Sequence, residues 1–328
     1  MQAKTYLQLV NEAIAESKVS LDPLTSANFA SPPNHEMYSR FKTWVNRAYQ
    51  YIVTDNDQWQ FRQERAVVTI YPRLQLRLDG ATPLSQGDVI ECDTSGVTFE
   101  ILDIHAVEDV ELDTALEYTV SVEYLQGPEY ANDLVFNESF SRLSPSPLAG
   151  IGNIKGRGAY KFSDLVPYVY EIDPTSFTMQ EAVAFNPDIT AYDLAPVIQM
   201  KAIPRNIWRH YYELFNTAGG RPMFVYELDD GNWDFYPRPD RPFDVGFTYT
   251  QDFTPMAAHG DTPILVPAKY HDLIMWTAVS YYADFDRQPQ VFATARKHIN
   301  KFSFALNKNE LPQITVDIYG FDHHTGSY

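Results

Sequence analysis

The hydrophobic repeat changes period twice along these 328 residues, and that change limits the possible folds more than any single motif. Near the start, Thr5-Tyr6-Leu7-Gln8 has the form of a capping box, and Tyr6, Leu9, Val10, Ala13 and Ile14 follow at helical spacing. A proline-bearing connector, Leu21 to Pro33, leads to Asn34, which is placed to cap a second helix. That helix has Phe41, Trp44, Val45, Ala48, Tyr51 and Ile52 along one side and Arg40, Lys42 and Arg47 on the other, and it ends at Asp55-Asn56-Asp57. From Ala66 to Tyr170 the period falls to two: Val68-Ile70, Leu74-Leu76-Leu78, Val97-Phe99-Ile101 and Val120-Val122-Tyr124 alternate with polar or turn residues. The breaks at Gly80, Gly87, Gly96 and Gly127-Pro128 have the spacing of a small barrel or sandwich.

Helical spacing returns at Pro204, with Ile207, Trp208, Tyr211, Leu214 and Phe215 on one face and a stop at Gly219-Gly220. A hairpin follows, Met223 to Leu228 and Trp233 to Tyr236 around Asp229-Asp-Gly-Asn232, with Phe243 to Thr250 as a third strand. Two more helices open at Pro267 and Pro289, and the tail alternates again at Ile314, Val316 and Ile318. The expected class is α+β: a helical bundle built from both chain termini, with an inserted β-rich barrel or sandwich and a β-hairpin. The expected domains are residues 1–65 with 200–310 as the helical core, hairpin 222–251 included; 66–175 as the inserted β domain; and 311–328 as an interaction tail.

Charge narrows the function. Lys and Arg number 25 against 43 Asp and Glu, a net −18, which opposes a basic nucleic-acid footprint. The 64 residues from Leu78 to Ser141 hold 15 acids and no Lys or Arg, so one surface should be strongly negative, with Glu108, Asp109, Glu111 and Asp113 as its densest run. A single cysteine, Cys92, precludes an intrachain disulfide and a cysteine-based zinc site. The first twenty residues do not fit a secretory signal, and no run is long enough to span a membrane.

Signatures of chemistry fail on spacing. Gly150, Gly152 and Gly156 miss the dinucleotide fingerprint by one residue, and Gly150 to Gly158 reads as a mobile loop. The eight histidines form no ligand set, and His271 next to Asp272 points elsewhere than a dyad requires. No cofactor, metal or catalytic residue is expected. Three tryptophans, Trp44, Trp208 and Trp276, sit among apolar neighbours and are read as core.

The ordered motifs carry a resemblance. Trp44-Val-Asn-Arg-Ala-Tyr49, Trp59-Gln-Phe61, Ile203-Pro-Arg-Asn-Ile-Trp208, Asp230-Gly-Asn-Trp-Asp-Phe-Tyr-Pro237, Leu265-Val-Pro-Ala-Lys-Tyr-His-Asp-Leu-Ile274 and Tyr281-Tyr282 follow one another as in tailed-phage head-to-tail adaptors. The chain most resembles the tail tubular protein A type of connector. This implies a non-enzymatic virion protein, made in the host cytoplasm and assembled as a homo-oligomeric ring of about twelve copies. Such a ring joins the portal protein to a downstream tail, stopper or nozzle protein. DNA passes through without sequence-specific binding, a role that suits acidic walls. Arg40, Lys42 and Arg47 are candidate partner contacts, and Ile314, Val316, Ile318 and Tyr319 are placed to add a strand to a neighbour or to the portal. The alternative is a virion receptor- or carbohydrate-binding protein whose β domain stacks sugars on Tyr118, Tyr124 and Tyr130; an acidic β-rich hydrolase ranks third.

Overall fold

The computed structural model describes residues 2–32, 35–56, 58–78, 83–109, 116–127, 137–182, 197–204, 206–208, 219–228 and 231–311. The chain divides into two units, Met1–Glu64 with Thr250–Tyr328, and Arg65–Tyr249.

Among the described residues, the first unit contains α1 (Tyr6–Glu16), α2 (His35–Thr54), α3 (His271–Phe285) and α4 (Pro289–Glu310). The capping box is present: the Thr5 hydroxyl accepts from the Gln8 amide, and the Gln8 side chain accepts from the Thr5 amide. Leu9, Val10 and Ala13 of α1 and Phe41, Val45 and Ala48 of α2 form one core with α3. Leu273, Ile274, Met275, Trp276, Ala278, Val279 and Tyr282 are all buried, so α3 is apolar nearly all round, as a helix enclosed by others must be. Only Ala295 and Leu306 of α4 are buried.

The second unit consists mainly of strands. They are, in chain order, β1 (Gln63–Ile70, entering from the first unit), β2 (Arg73–Leu78), β3 (Val89–Cys92), β4 (Thr98–Asp109), β5 (Leu116–Tyr124), β6 (Ser139–Ser144) and β7 (Leu148–Arg157). There follow β8 (Tyr160–Lys161), β9 (Val169–Ile172), β10 (Thr178–Glu181), β11 (Ile198–Gln199), β12 (Lys201–Ala202), β13 (Gly219–Gly220), β14 (Phe224–Glu227), β15 (Asn232–Tyr236), β16 (Arg238–Pro239) and β17 (Phe243–Gln251). Strands β2 to β7 close an antiparallel barrel in the order β2-β5-β4-β3-β6-β7. Inward residues alternate with outward ones, so Leu74, Leu76, Ile90, Cys92, Phe99, Ile101, Val120, Val122, Phe140 and Ile154 fill its interior. Register shifts in four of its strand pairs bend the strands enough for closure.

The remaining strands of this unit form a sheet ordered β1-β17-β10-β11, with β9 also on β17, a second ordered β12-β14-β15-β8, and the pair β13-β16. The two larger sheets share an aromatic core of Phe162, Phe177, Trp233, Phe235, Phe243 and Phe247. Phe162 and Phe247 lie 4.6 Å apart and Phe177 and Trp233 4.9 Å apart, within the range of favourable ring pairs.

The expected fold class is therefore corrected: the molecule is β-rich, with its strands in several sheets, and is not a helical bundle from both termini carrying one β insertion. The hairpin expected in the helical core pairs within the second unit, β14 with β15 and β15 with β8. Most strands beyond β7 have two to five residues, too few for countable alternation. Of the helix expected from Pro204, residues 206–208 are helical and the rest lies outside the described residues. The stretch Gly150 to Gly158 is also corrected: through Arg157 it is strand β7, which closes the barrel on β2.

Candidate functional site

The residues expected to touch partners are only partly free. Arg40 pairs with Glu36 at 2.7 Å, one helical turn away, and its guanidinium lies 4.4 Å from the Phe285 ring centre. Lys42 donates to the Phe29 carbonyl and covers the Phe29 ring at 4.2 Å, and burial holds its ammonium below the usual lysine pKa. Arg47 alone stays exposed, 5.4 Å from the Tyr281 ring centre, with no carboxylate paired to it among the described residues. Ile314, Val316, Ile318 and Tyr319 lie outside the described residues, as do Glu111 and Asp113. Glu108 and Asp109 end β4, in register with Glu117 and Leu116 of β5.

The motif residues are chiefly structural. Asn46 donates to the Met256 carbonyl at 2.8 Å and to the Tyr6 hydroxyl at 3.1 Å, and it accepts from the Met256 amide at 3.0 Å. The Tyr49 hydroxyl accepts from the Leu265 amide. Tyr270 donates to the Ala305 carbonyl and Lys269 pairs with Glu310 at 2.8 Å, which fixes the entry to α3 on the end of α4. Trp208 is buried and stacks on Tyr226 at 5.0 Å, and Trp276 is buried against His298; Trp44 is partly buried against the same core.

His271 is buried and engaged at both nitrogens: Nδ1 accepts from the Lys4 amide at 3.0 Å, so Nε2 donates to the Val266 carbonyl at 2.9 Å. Burial lowers its pKa. Asp272 pairs instead with Lys4 at 2.6 Å, so the neighbours form no dyad.

One constellation escaped the sequence reading. His105 Nε2 stands 2.6 Å from Ser121 Oγ, and its Nδ1 stands 3.7 Å from Asp103, beside a cavity of about 370 Å3. The residue types are those of a hydrolytic triad, but the polarity is opposite. Arg73 Nη2 lies 3.4 Å from Nδ1 and can only donate, which puts the imidazole proton on Nε2 and aims it at the serine oxygen. A nucleophilic serine needs the reverse transfer. Burial, followed by the Arg73 charge, also lowers the His105 pKa. The four residues lie up to 48 positions apart on three strands, β2, β4 and β5, so no local spacing could reveal them.

A groove of about 440 Å3 in the first unit lies among Tyr51, Asp55, Tyr281, Asp284, Arg296 and Asn307. Two of its hydroxyls are occupied, Thr277 donating to the Leu273 carbonyl and Ser280 to the Thr277 carbonyl, both at 2.7 Å. Burial and the Glu138 carboxylate push the Cys92 thiol up to about 12, which makes it inert. Among the described residues no group of three His, Cys, Asp or Glu could hold a metal ion, and no helix is long and apolar enough to cross a membrane. Tyr118 and Tyr124 belong to the buried barrel core and offer no platform for a sugar; Tyr130 lies outside the described residues.

No curated protein matches the chain. Residues 168–319, just under half of the chain, match the family model described as SU10 adaptor protein. Over that segment the resemblance to phage head-to-tail adaptors is borne out.

Proposed function

We propose that the chain is a structural adaptor of the virion, a homo-oligomeric ring of about twelve copies placed between the portal and a downstream tail, stopper or nozzle protein. The match over residues 168–319 carries this reading. The ordered motifs support it, because Asn46, Tyr49, Trp208 and Tyr270 hold the folded units in shape rather than building a reactive centre. Genomic DNA passes through the ring without sequence-specific contacts. An acidic wall suits that passage, since phosphate adheres where Lys and Arg cluster. Arg47 is the outward cation of α2 available to a partner, and the tail with Ile314, Val316, Ile318 and Tyr319 adds a strand to a neighbour or to the portal. The protein folds in the host cytoplasm before joining the virion.

The test is electron microscopy and sizing of the purified chain with and without the portal protein of its own phage. A ring stacked coaxially on the portal is the expected result. A chain that never joins the portal would overturn the reading.

A further inference from the structure

Charge is segregated between the two units. Residues 65–249 hold 28 Asp or Glu and 13 Lys or Arg, a balance of −15, whereas the rest of the chain holds 15 and 12. On the outer face of the barrel, Glu91 of β3, Glu100 of β4 and Glu123 of β5 occupy neighbouring strands, and Glu100 stands directly opposite Glu123. All three are partly exposed, and none has an ion pair or hydrogen bond among the described residues. Like charges facing each other across a strand pair weaken a sheet. The 64-residue acidic run contains no Lys or Arg to offset them.

The missing counter-charge stands on α4. This helix carries Arg296, Lys297, Lys301 and Lys308 and a single acid, Glu310, which Lys269 already holds. Lys297, Lys301, Phe304 and Lys308 follow at intervals of four, three and four, so they form one exposed stripe about 16 Å long. Lys297 and Lys308 have no ion pair among the described residues, and Phe304 is 73% exposed. An apolar ring flanked by cations has the form of an interface anchor with a charged rim.

We propose that this face of α4 docks on the Glu91–Glu100–Glu123 face of the barrel in a second copy of the chain. The two faces differ, so the contact is head-to-tail and repeats from copy to copy until the ring closes. The proposal rests on the ring reading and names the surface that builds it.

Charge exchange tests it. Lys297→Glu, Lys301→Glu and Lys308→Glu together raise the concentration needed for half-assembly by at least about tenfold, as does the barrel set Glu91→Lys, Glu100→Lys and Glu123→Lys. Mixed in equal amounts, the two variants recover assembly, since every altered face then meets its complement. Mass photometry reads the oligomers, and circular dichroism checks that each variant folds. A wild-type chain that stays monomeric at low salt, alone and with the portal, overturns the ring reading. Rings that form and survive the α4 reversal overturn this contact alone, as do variants that fold but never complement each other. Retention of wild type on duplex DNA, lost with the α4 set while rings persist, would assign the stripe to DNA instead.

Discussion

Asn46 shows how much one side chain can hold. Two of its three hydrogen bonds join α2 to the Met256 segment 210 residues away and the third reaches Tyr6 of α1, so Asn46→Ala should lower stability by about 2–3 kcal/mol, measured by urea denaturation. The buried histidines set a pH dependence. In the unfolded chain a histidine takes a proton near pH 6.5, while burial keeps His271 and His105 neutral to lower pH. The unfolded chain therefore binds more protons below that pH, and stability should fall from pH 7 towards pH 5. His271→Gln should flatten part of that fall; an unchanged slope would show that His271 does not contribute. Residue-scale features were legible where partners are near in sequence, as with the Thr5–Gln8 capping box. They were hidden where partners are distant: Lys4 reaches His271 and Asp272 across more than 260 positions, and Arg73 of β2 reaches His105 of β4 past the intervening strand β5.

At the scale of elements, the barrel is the best case. Its periodicity revealed β2, β4 and β5, but β7 was hidden because its glycines resemble a loop. Gly152 shows why glycine is needed there: a Cβ at this position would lie 2.0 Å from the Arg77 carbonyl oxygen of β2. Gly152→Val should force β7 from β2 and open the barrel. Cys92, the sole cysteine, reports the event, since a thiol reagent should leave the native chain unmodified and label the variant. The same pairing defines where the barrel can be removed. Leu74 pairs with Arg157, so the ends of the excised segment adjoin. Replacing residues 74–157 with a short Gly-Ser bridge should leave a soluble chain with a cooperative melt. Excising only Leu78 to Ser141 should aggregate, because it strips Leu74, Leu76 and Ile154 of their inner partners. The α-helical periodicities at both ends led to the four described helices, but the short strands around the aromatic core offered no comparable signal, and the fold class was misjudged for that reason.

At the scale of the whole molecule, the account rests on assembly. The −18 charge first excluded a DNA-gripping coat; its placement in the second unit makes it a candidate surface for another copy as well as for a DNA path. Removing residues 312–328 should weaken ring or portal binding while leaving the melting temperature within about 2 °C of wild type. Loss of monomer folding would show instead that the tail belongs to the core of its own chain. The central claim is that this chain is an adaptor ring, and the most direct measurement is a side-chain-resolution electron microscopy map of the chain bound to its portal. The account predicts a closed ring on the portal axis with the channel continuous through it. A portal left bare, or copies bound singly at the periphery, would contradict it.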